Sequence, residues 1–213
     1  MVPLDDDKSD QDIFKSEYLE LLYHLQHAIE TEEVEVEGNK YSMDDFCYKP
    51  ITGEGCLVTS PMGFWQMDLN KMLADEDVKK TAQCIPGEND DGRVCFDSIG
   101  VPVQVTAIFG GTTCVEDNTY PCAPCLIDAS AYMVSFLLEN NDYSNPTAVE
   151  WEQQVFIKNI KTFNHVVNYK DELPKEVDGY NMDLLDKLRN VYANNPNMID
   201  IKIDYLAERS IPD

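Results

Sequence analysis

Cys47-Tyr48-Lys49-Pro50-Ile51-Thr52-Gly53-Glu54-Gly55-Cys56-Leu57-Val58-Thr59-Ser60-Pro61-Met62-Gly63-Phe64-Trp65-Gln66-Met67 sets a cysteine-bounded loop ahead of an apolar stretch led by Ser60 and Pro61. The loop carries Pro, Gly and charge, and too little apolar surface to hold itself. Closing a loop of about ten residues with a disulfide contributes roughly 2.5–3 kcal/mol in the chain-entropy model. A bond between Cys47 and Cys56 is therefore expected. The Cys84–Cys95 loop has the same character, and the same local pairing is expected there. Such disulfides persist outside the reducing cytosol, which indicates a lumenal or extracellular compartment.

Working outward, Ser60 caps a second helix with Pro61 at its favoured first position, and Phe64, Trp65, Met67, Leu69 and Met72 form its stripe. Upstream, Ile13–Thr31 predicts an amphipathic helix with Tyr18, Leu21, Leu22, Leu25, Ala28 and Ile29 at helical spacing, capped by Ser9 or Asp10. Glu32–Gly38 is too charged for a central strand and reads as an edge or solvated turn. Downstream, Gly100–Gly111 predicts a short strand ending in a glycine pair, and Ala129–Leu138 a central strand apolar on both faces. Thr147-Ala-Val-Glu150 opens a third helix with a capping box, whose stripe is Val149, Phe156, Ile160, Phe163 and Val167. Asn181 caps a fourth, with Leu184, Leu185, Leu188, Val191 and Tyr192. Ile199, Ile201, Ile203 and Tyr205 alternate with polar residues as a half-exposed strand, expected in one sheet with Ala129–Leu138.

The fold expected is α+β: a two-layer sandwich with a ferredoxin-like sheet, helices packed on one face and disulfide-closed loops. That fold calls for a strand before Ile13, yet residues 1–12 show no strand pattern. Residues 1–11 are read as an appended remnant or truncated loop, and 12–213 as a single domain with 168–197 a helical insertion. Met1–Lys8 has neither the basic start nor the apolar run of a secretory signal, and no run of about 20 apolar residues suits a membrane span. A disulfide-bearing chain of this kind is expected to be a piece of a larger secreted or membrane protein.

The 213 residues hold 16 Lys and Arg against 40 Asp and Glu, a formal charge of −24. That balance excludes nucleic acid, which needs clustered cations to displace phosphate counterions, and direct insertion into an anionic membrane surface. It suits solubility in an acidic or calcium-rich compartment, or a basic protein partner.

Two patterns invite a chemical reading. His24 and His27, with Glu20 a turn earlier, could form a metal edge, but no further ligand motif completes the four a structural metal needs; they read more simply as polar residues beside a core stripe. Cys122-Ala-Pro-Cys125 has the form used by disulfide oxidoreductases. That chemistry wants a buried strand feeding a helix, whereas Thr112–Thr119 is polar loop, so a local staple is the better reading. With the two local pairs made, Cys114, Cys122 and Cys125 share one bond, with Cys114 paired to Cys122 or Cys125 and one cysteine left over. No nucleophile elbow or phosphate loop occurs. No catalytic residue, metal or cofactor is expected.

Taken in order, Asp45-Phe-Cys47, Lys49-Pro50, Gly55-Cys56, Ser60 with Phe64-Trp-Gln-Met67, the Cys84–Cys95 loop, Gly100-Val-Pro102, Gly110-Gly111, Ala129-Ser-Ala131, Trp151-Glu152 with Phe156, and Ala207-Glu-Arg-Ser-Ile211 resemble the middle lumenal domain of the large Niemann–Pick type C membrane proteins. These are sterol transporters related to Patched and Dispatched, and the resemblance covers roughly residues 12–213. It implies a non-catalytic domain on the lumenal side of a late endosome, lysosome or vacuole membrane, or on the extracellular face. The domain would dock a small soluble sterol carrier and meet the other lumenal domains and transmembrane part of its transporter. The docking surface implied is two protruding loops, one before the first helix and one at Leu73–Gln83, where Leu73, Asp75, Glu76, Asp77 and Val78 are the candidate partner residues. This second loop lacks the aromatic tip of animal relatives. The rival readings are a Patched-like lipid or morphogen transporter ectodomain and, from another class, a thiol–disulfide oxidoreductase using Cys122 and Cys125.

Overall fold

A computed structural model of the chain describes residues 2–3, 13–83, 95–114, 126–139, 146–170, 172–174, 177–198 and 201–203. In chain order the elements are β1 (Val2–Pro3), α1 (Ser16–Thr31), β2 (Val34–Val36), β3 (Asn39–Tyr41), β4 (Val58–Thr59), α2 (Leu69–Leu73), α3 (Val78–Ala82), α4 (Val105–Ile108), β5 (Phe109–Gly110), β6 (Thr113–Cys114), β7 (Leu126–Asp128), β8 (Ala131–Tyr132), β9 (Ser135–Phe136), α5 (Pro146–Trp151), α6 (Ile157–Asn168), α7 (Met182–Asn194) and β10 (Ile201–Lys202). Met43–Asp45 and Pro61–Trp65 are 3₁₀ turns, and a π turn at Glu152–Phe156 joins α5 to α6. The protein mixes helix and strand, and no ferredoxin-like sheet is found among the described residues. Among the described residues the strands form five separate two-stranded antiparallel ladders.

The core is built on α1. Tyr18, Leu21, Leu22, Leu25 and Ile29 are buried as the periodicity predicts, joined by Leu19 and Gln26. The helix begins at Ser16 rather than near Ile13; the proposed caps Ser9 and Asp10 lie outside the described residues. Ile13 is buried just before the helix, and its carbonyl accepts a hydrogen bond from the Tyr132 hydroxyl. The charged Glu32–Gly38 stretch forms the hairpin β2–β3, with Val34 opposite Tyr41. Glu37 and Gly38 both have positive φ, 53° and 80°, as a two-residue turn with the hairpin's own twist requires.

The single helix expected after Ser60 is three short turns. Ser60 caps the first through Met62 N, as its sequence suggests. Gln66 and Met67 then take left-handed φ values of 54° and 57°, which end it. Asp68 takes the amides of Asn70 and Lys71, and Asp77 that of Lys80, so each starts a new turn. Short acidic side chains compete for backbone donors in this way and break a helix that apolar spacing alone would continue.

The Ala129–Leu138 stretch is likewise not one central strand. β7, β8 and β9 pair in turn with β6, β5 and β4, and Leu138 bridges Cys47. This strap alternates: Ala129 and Tyr132 are buried, while Met133, Ser135 and Leu137 are exposed. Its apolar outer residues face solvent rather than a second layer, so two-faced hydrophobicity here does not mean two-faced burial. Nor, among the described residues, does it share a sheet with the Ile199–Tyr205 stretch, of which β10 pairs with β1, Val2 opposite Lys202. Residues 1–12 thus do contribute a strand, too short to show a period. Within Gly100–Gly111 the strand is only β5, preceded by the helical turn α4.

The third helix begins at Pro146, which puts Thr147 inside its first turn rather than at the expected cap, and it runs through α5, the π turn and α6. The extra residue of a π turn rotates everything beyond it on the helix. Trp151 is buried before the π turn, Val155 within it, and Ile160, Phe163, Val166 and Val167 after it, while Phe156 is left half-buried. Asn181 caps α7 by accepting from Leu184 N at 3.0 Å. α7 packs against both α1 and α6, with Leu184, Leu185 and Leu188 fully buried. Burial of each such side chain stabilises by about 1.5–3 kcal/mol, so this helix is part of the core.

Candidate docking surface

The segment Leu73–Gln83 is held by one carboxylate. Asp75 accepts from the Trp65 indole Nε1 at 2.8 Å and from Thr81 Oγ1 at 2.6 Å on one oxygen, and from Asp77 N at 2.9 Å on the other. Trp65 is only 6% exposed, so the bond satisfies an indole N–H that has left water. Asp77 caps α3. Val78 and Ala82 turn into the core. Lys79 lies over the Phe14 ring at 5.5 Å, and Phe14 contacts Phe109 at 5.1 Å between ring centres. The segment therefore sits beside the residues that lead into α1.

Of the five candidate partner residues, the structure leaves three exposed. Leu73 is 48% exposed, Glu76 is exposed and takes no part in the Asp75 bonds, and Asp77 is exposed with its carboxylate on the α3 cap. Asp75 is half-buried in its own bonds, and Val78 is buried. Sequence reasoning missed this division because three adjacent acids look alike until a buried indole and an amide claim two of them. The one available signal was the ten-residue interval from Trp65, a donor that needs a partner when buried.

Cys47 and Cys56 form a disulfide with Cα atoms 5.4 Å apart. Cys95 is buried and disulfide-bonded; Cys84 lies outside the described residues. Cys114 ends β6 opposite Leu126, and Cys122 and Cys125 lie outside the described residues, so the pairing among these three stays an expectation. Asp44, Cys47 and Cys56 lie within metal-ligand distance of one another, but both sulfurs are spent in the disulfide and neither is a thiolate.

His24 and His27 face α7. His24 Nε2 lies 3.9 Å from Glu20, and His27 stacks on Tyr23 with ring centres 5.5 Å apart. Burial holds both imidazoles below their ordinary titration range, helped by Lys187. They sit at a helix seam, where Asp183 of α7 opposes the effect of Lys187 on both rings. Glu30, behind them, is pushed up by burial while Gln26 donates to it at 2.7 Å. Gln26 is itself buried and accepts from Ser60 Oγ at 2.6 Å.

Among the described residues no helix is long and apolar enough to cross a membrane. A search of curated proteins finds no match to the chain. The family described as "NPC1, middle luminal domain" matches residues 3–173, a span reaching from β1 through α6 and its following turn. The chain belongs to the NPC1 middle luminal domain family, and is thus a lumenal domain of a larger NPC1-type membrane protein.

Proposed function

We propose that this domain is a non-catalytic docking module for sterol transfer, receiving a small soluble sterol-carrier protein on the surface formed by Leu73–Gln83 and the approach to α1. The family match over residues 3–173 carries the reading. The contact of Lys79 with Phe14 supports it, because it joins the two segments that the resemblance assigns to docking. The compartment in this reading is an acidic endosomal, lysosomal or vacuolar lumen, and the cargo a cholesterol-type lipid.

Glu76 and Leu73 are the residues on which the docking surface can be tested without disturbing the fold, since reversing Asp75 or Asp77 also removes the Trp65 bond or the α3 cap. A charge-led contact of this kind slows as salt rises, because screening at about 0.15 M shortens its range to about 8 Å. The test immobilises the domain and measures binding of a purified lumenal sterol carrier at acidic pH, with and without sterol. L73S/E76K should weaken binding by tenfold or more. Unchanged binding would place docking elsewhere.

A further inference from the structure

The exposed outer face of the strap, Met133, Ser135 and Leu137, meets the disulfide-closed loop where Leu137 lies opposite Tyr48, with acidic residues nearby. Tyr48 N donates to Leu137 O at 2.9 Å, Leu57 N donates to Tyr48 O at 2.9 Å, and Leu137 N donates to Leu57 O at 3.5 Å. The Cys47–Leu138 bridge sets Tyr48 opposite Leu137, and side chains opposite each other in an antiparallel pair share a face. Tyr48 is 43% exposed, Leu137 38%, Met133 41% and Ile51 42%. The inner face of the same strap is packed: Tyr132 is buried, and Phe136 meets Phe156 edge-on at 6.1 Å.

We propose that Tyr48, Ile51, Met133 and Leu137 form a second docking face, for a protein partner whose apolar patch is ringed by Lys or Arg. Charge identifies the occupant. Asp45, Glu54 and Glu139 are exposed around the strip, and Lys49, the only cation between residues 44 and 57, is tied to Asp44 at 2.9 Å. A second copy of this chain, at −24, would set acids against acids, and an anionic lipid surface would be repelled. Tyr with flanking aliphatic residues is the composition of interface centres, with charge left to the rim. The disulfide and the three backbone bonds hold the strip in place before binding, which lowers the ordering cost of association.

The proposal does not depend on carrier docking at Leu73–Gln83, and the experiment separates the two. The isotope-labelled domain is titrated with a synthetic peptide of alternating Leu and Lys, with Leu–Ser and Leu–Glu peptides as controls. Amide shifts are expected within residues 44–57 and 133–139, weakening as salt rises, with the Leu–Glu peptide inert. Y48S/L137S, altered at exposed positions, should bind about tenfold more weakly. E54Q/E139Q, which leaves the apolar strip intact, should bind several-fold more weakly and serves if the first variant fails to fold. Equal binding by the variants, shifts centred on residues 73–83, or equal binding of the Leu–Glu peptide would overturn the proposal. So would a dimer of the free domain that Y48S/L137S dissolves, which would assign the strip to a second copy. Binding of the free domain to phosphatidylcholine vesicles through the strip would assign it to lipid and likewise overturn it.

Discussion

Asn181 and Glu32, 149 residues apart in sequence, are joined by a hydrogen bond from Asn181 Nδ2 to Glu32 Oε2 at 3.1 Å. Asn159 donates to the same oxygen at 2.8 Å, and Lys158 pairs with the other. Asn181 also donates to Asn159 Oδ1 at 2.9 Å and, through its backbone, to Thr162 Oγ1 at 2.8 Å. Glu32 closes α1, Asn159 and Thr162 belong to α6, and Asn181 caps α7, so one polar cluster registers three helices. Asn159 and Thr162 are fully buried, where an unmade bond costs about 1–3 kcal/mol.

N181A should therefore destabilise the domain by about 2–3 kcal/mol, a lost cap plus a donor missing from Glu32. N181S keeps an oxygen for Leu184 N and should recover about 1 kcal/mol of this. Urea unfolding followed by circular dichroism reads both. Equal losses for the two variants would show that capping contributes nothing at this position.

Asp75 gives a second expectation. D75A strands the Trp65 indole N–H and the Thr81 hydroxyl together and should cost about 2–4 kcal/mol, while T81V should cost about 1 kcal/mol. E76K, one residue away and free of the clamp, should stay within about 0.5 kcal/mol of the wild type. Tryptophan emission during urea unfolding distinguishes them; a D75A loss as small as that of E76K would contradict the clamp.

The π turn predicts a contrast between two phenylalanines of one helix. Phe163 is 0% exposed, and F163A should cost about 3–5 kcal/mol. Phe156, rotated off the core to half-burial against Phe136 and Trp151, should cost about 1–2 kcal/mol when replaced by Ala. Deleting Val155 or Phe156 to restore a regular helix should be worse than either substitution, because it rotates Trp151 out of the core. Thermal melts of the three variants decide the order.

Acidification should act in two opposed steps. The folded domain holds His24 and His27 below the ordinary value of 6.5, so the unfolded chain takes these protons first. The stability they carry is complete above about pH 6.5 and is lost as pH falls through the lower folded-state values. Burial raises Glu20 and Glu30 above 4.5, so the folded domain takes those protons first, and stability is regained as pH falls toward 4.5. H24Q/H27Q should flatten the first decline. E30Q should remove the gain and be more stable than wild type at neutral pH. Unfolding free energies measured across pH 4–8 would show whether the two slopes belong to these four groups.

Local chemistry was legible in the sequence. Ser60 and Asn181 cap where their types suggest, α1 buries its periodic residues except the half-buried Ala28, and Cys47 and Cys56 close their own short loop. What escaped were features set by distant partners. Asp68 and Asp77 divide one apolar period into three turns because their carboxylates find free amides. Val2 and Pro3 become a strand only because Ile201 and Lys202 arrive beside them. The strap from Leu126 to Leu138 looks buried on both faces because Met133 and Leu137 are apolar, yet both are exposed. Within Leu73–Gln83 the acids were evident, but their division between fold and surface was not, since the Trp65 indole engages Asp75.

The ladder between β1 and β10 joins segments from opposite parts of the sequence. Val2 and Lys202 lie side by side in antiparallel strands, about 5 Å apart in the hydrogen-bonding direction, with Ile201 buried beneath them. A pull on Val2 and Lys202 would act across the ladder, parting its bonds one after another instead of shearing them together.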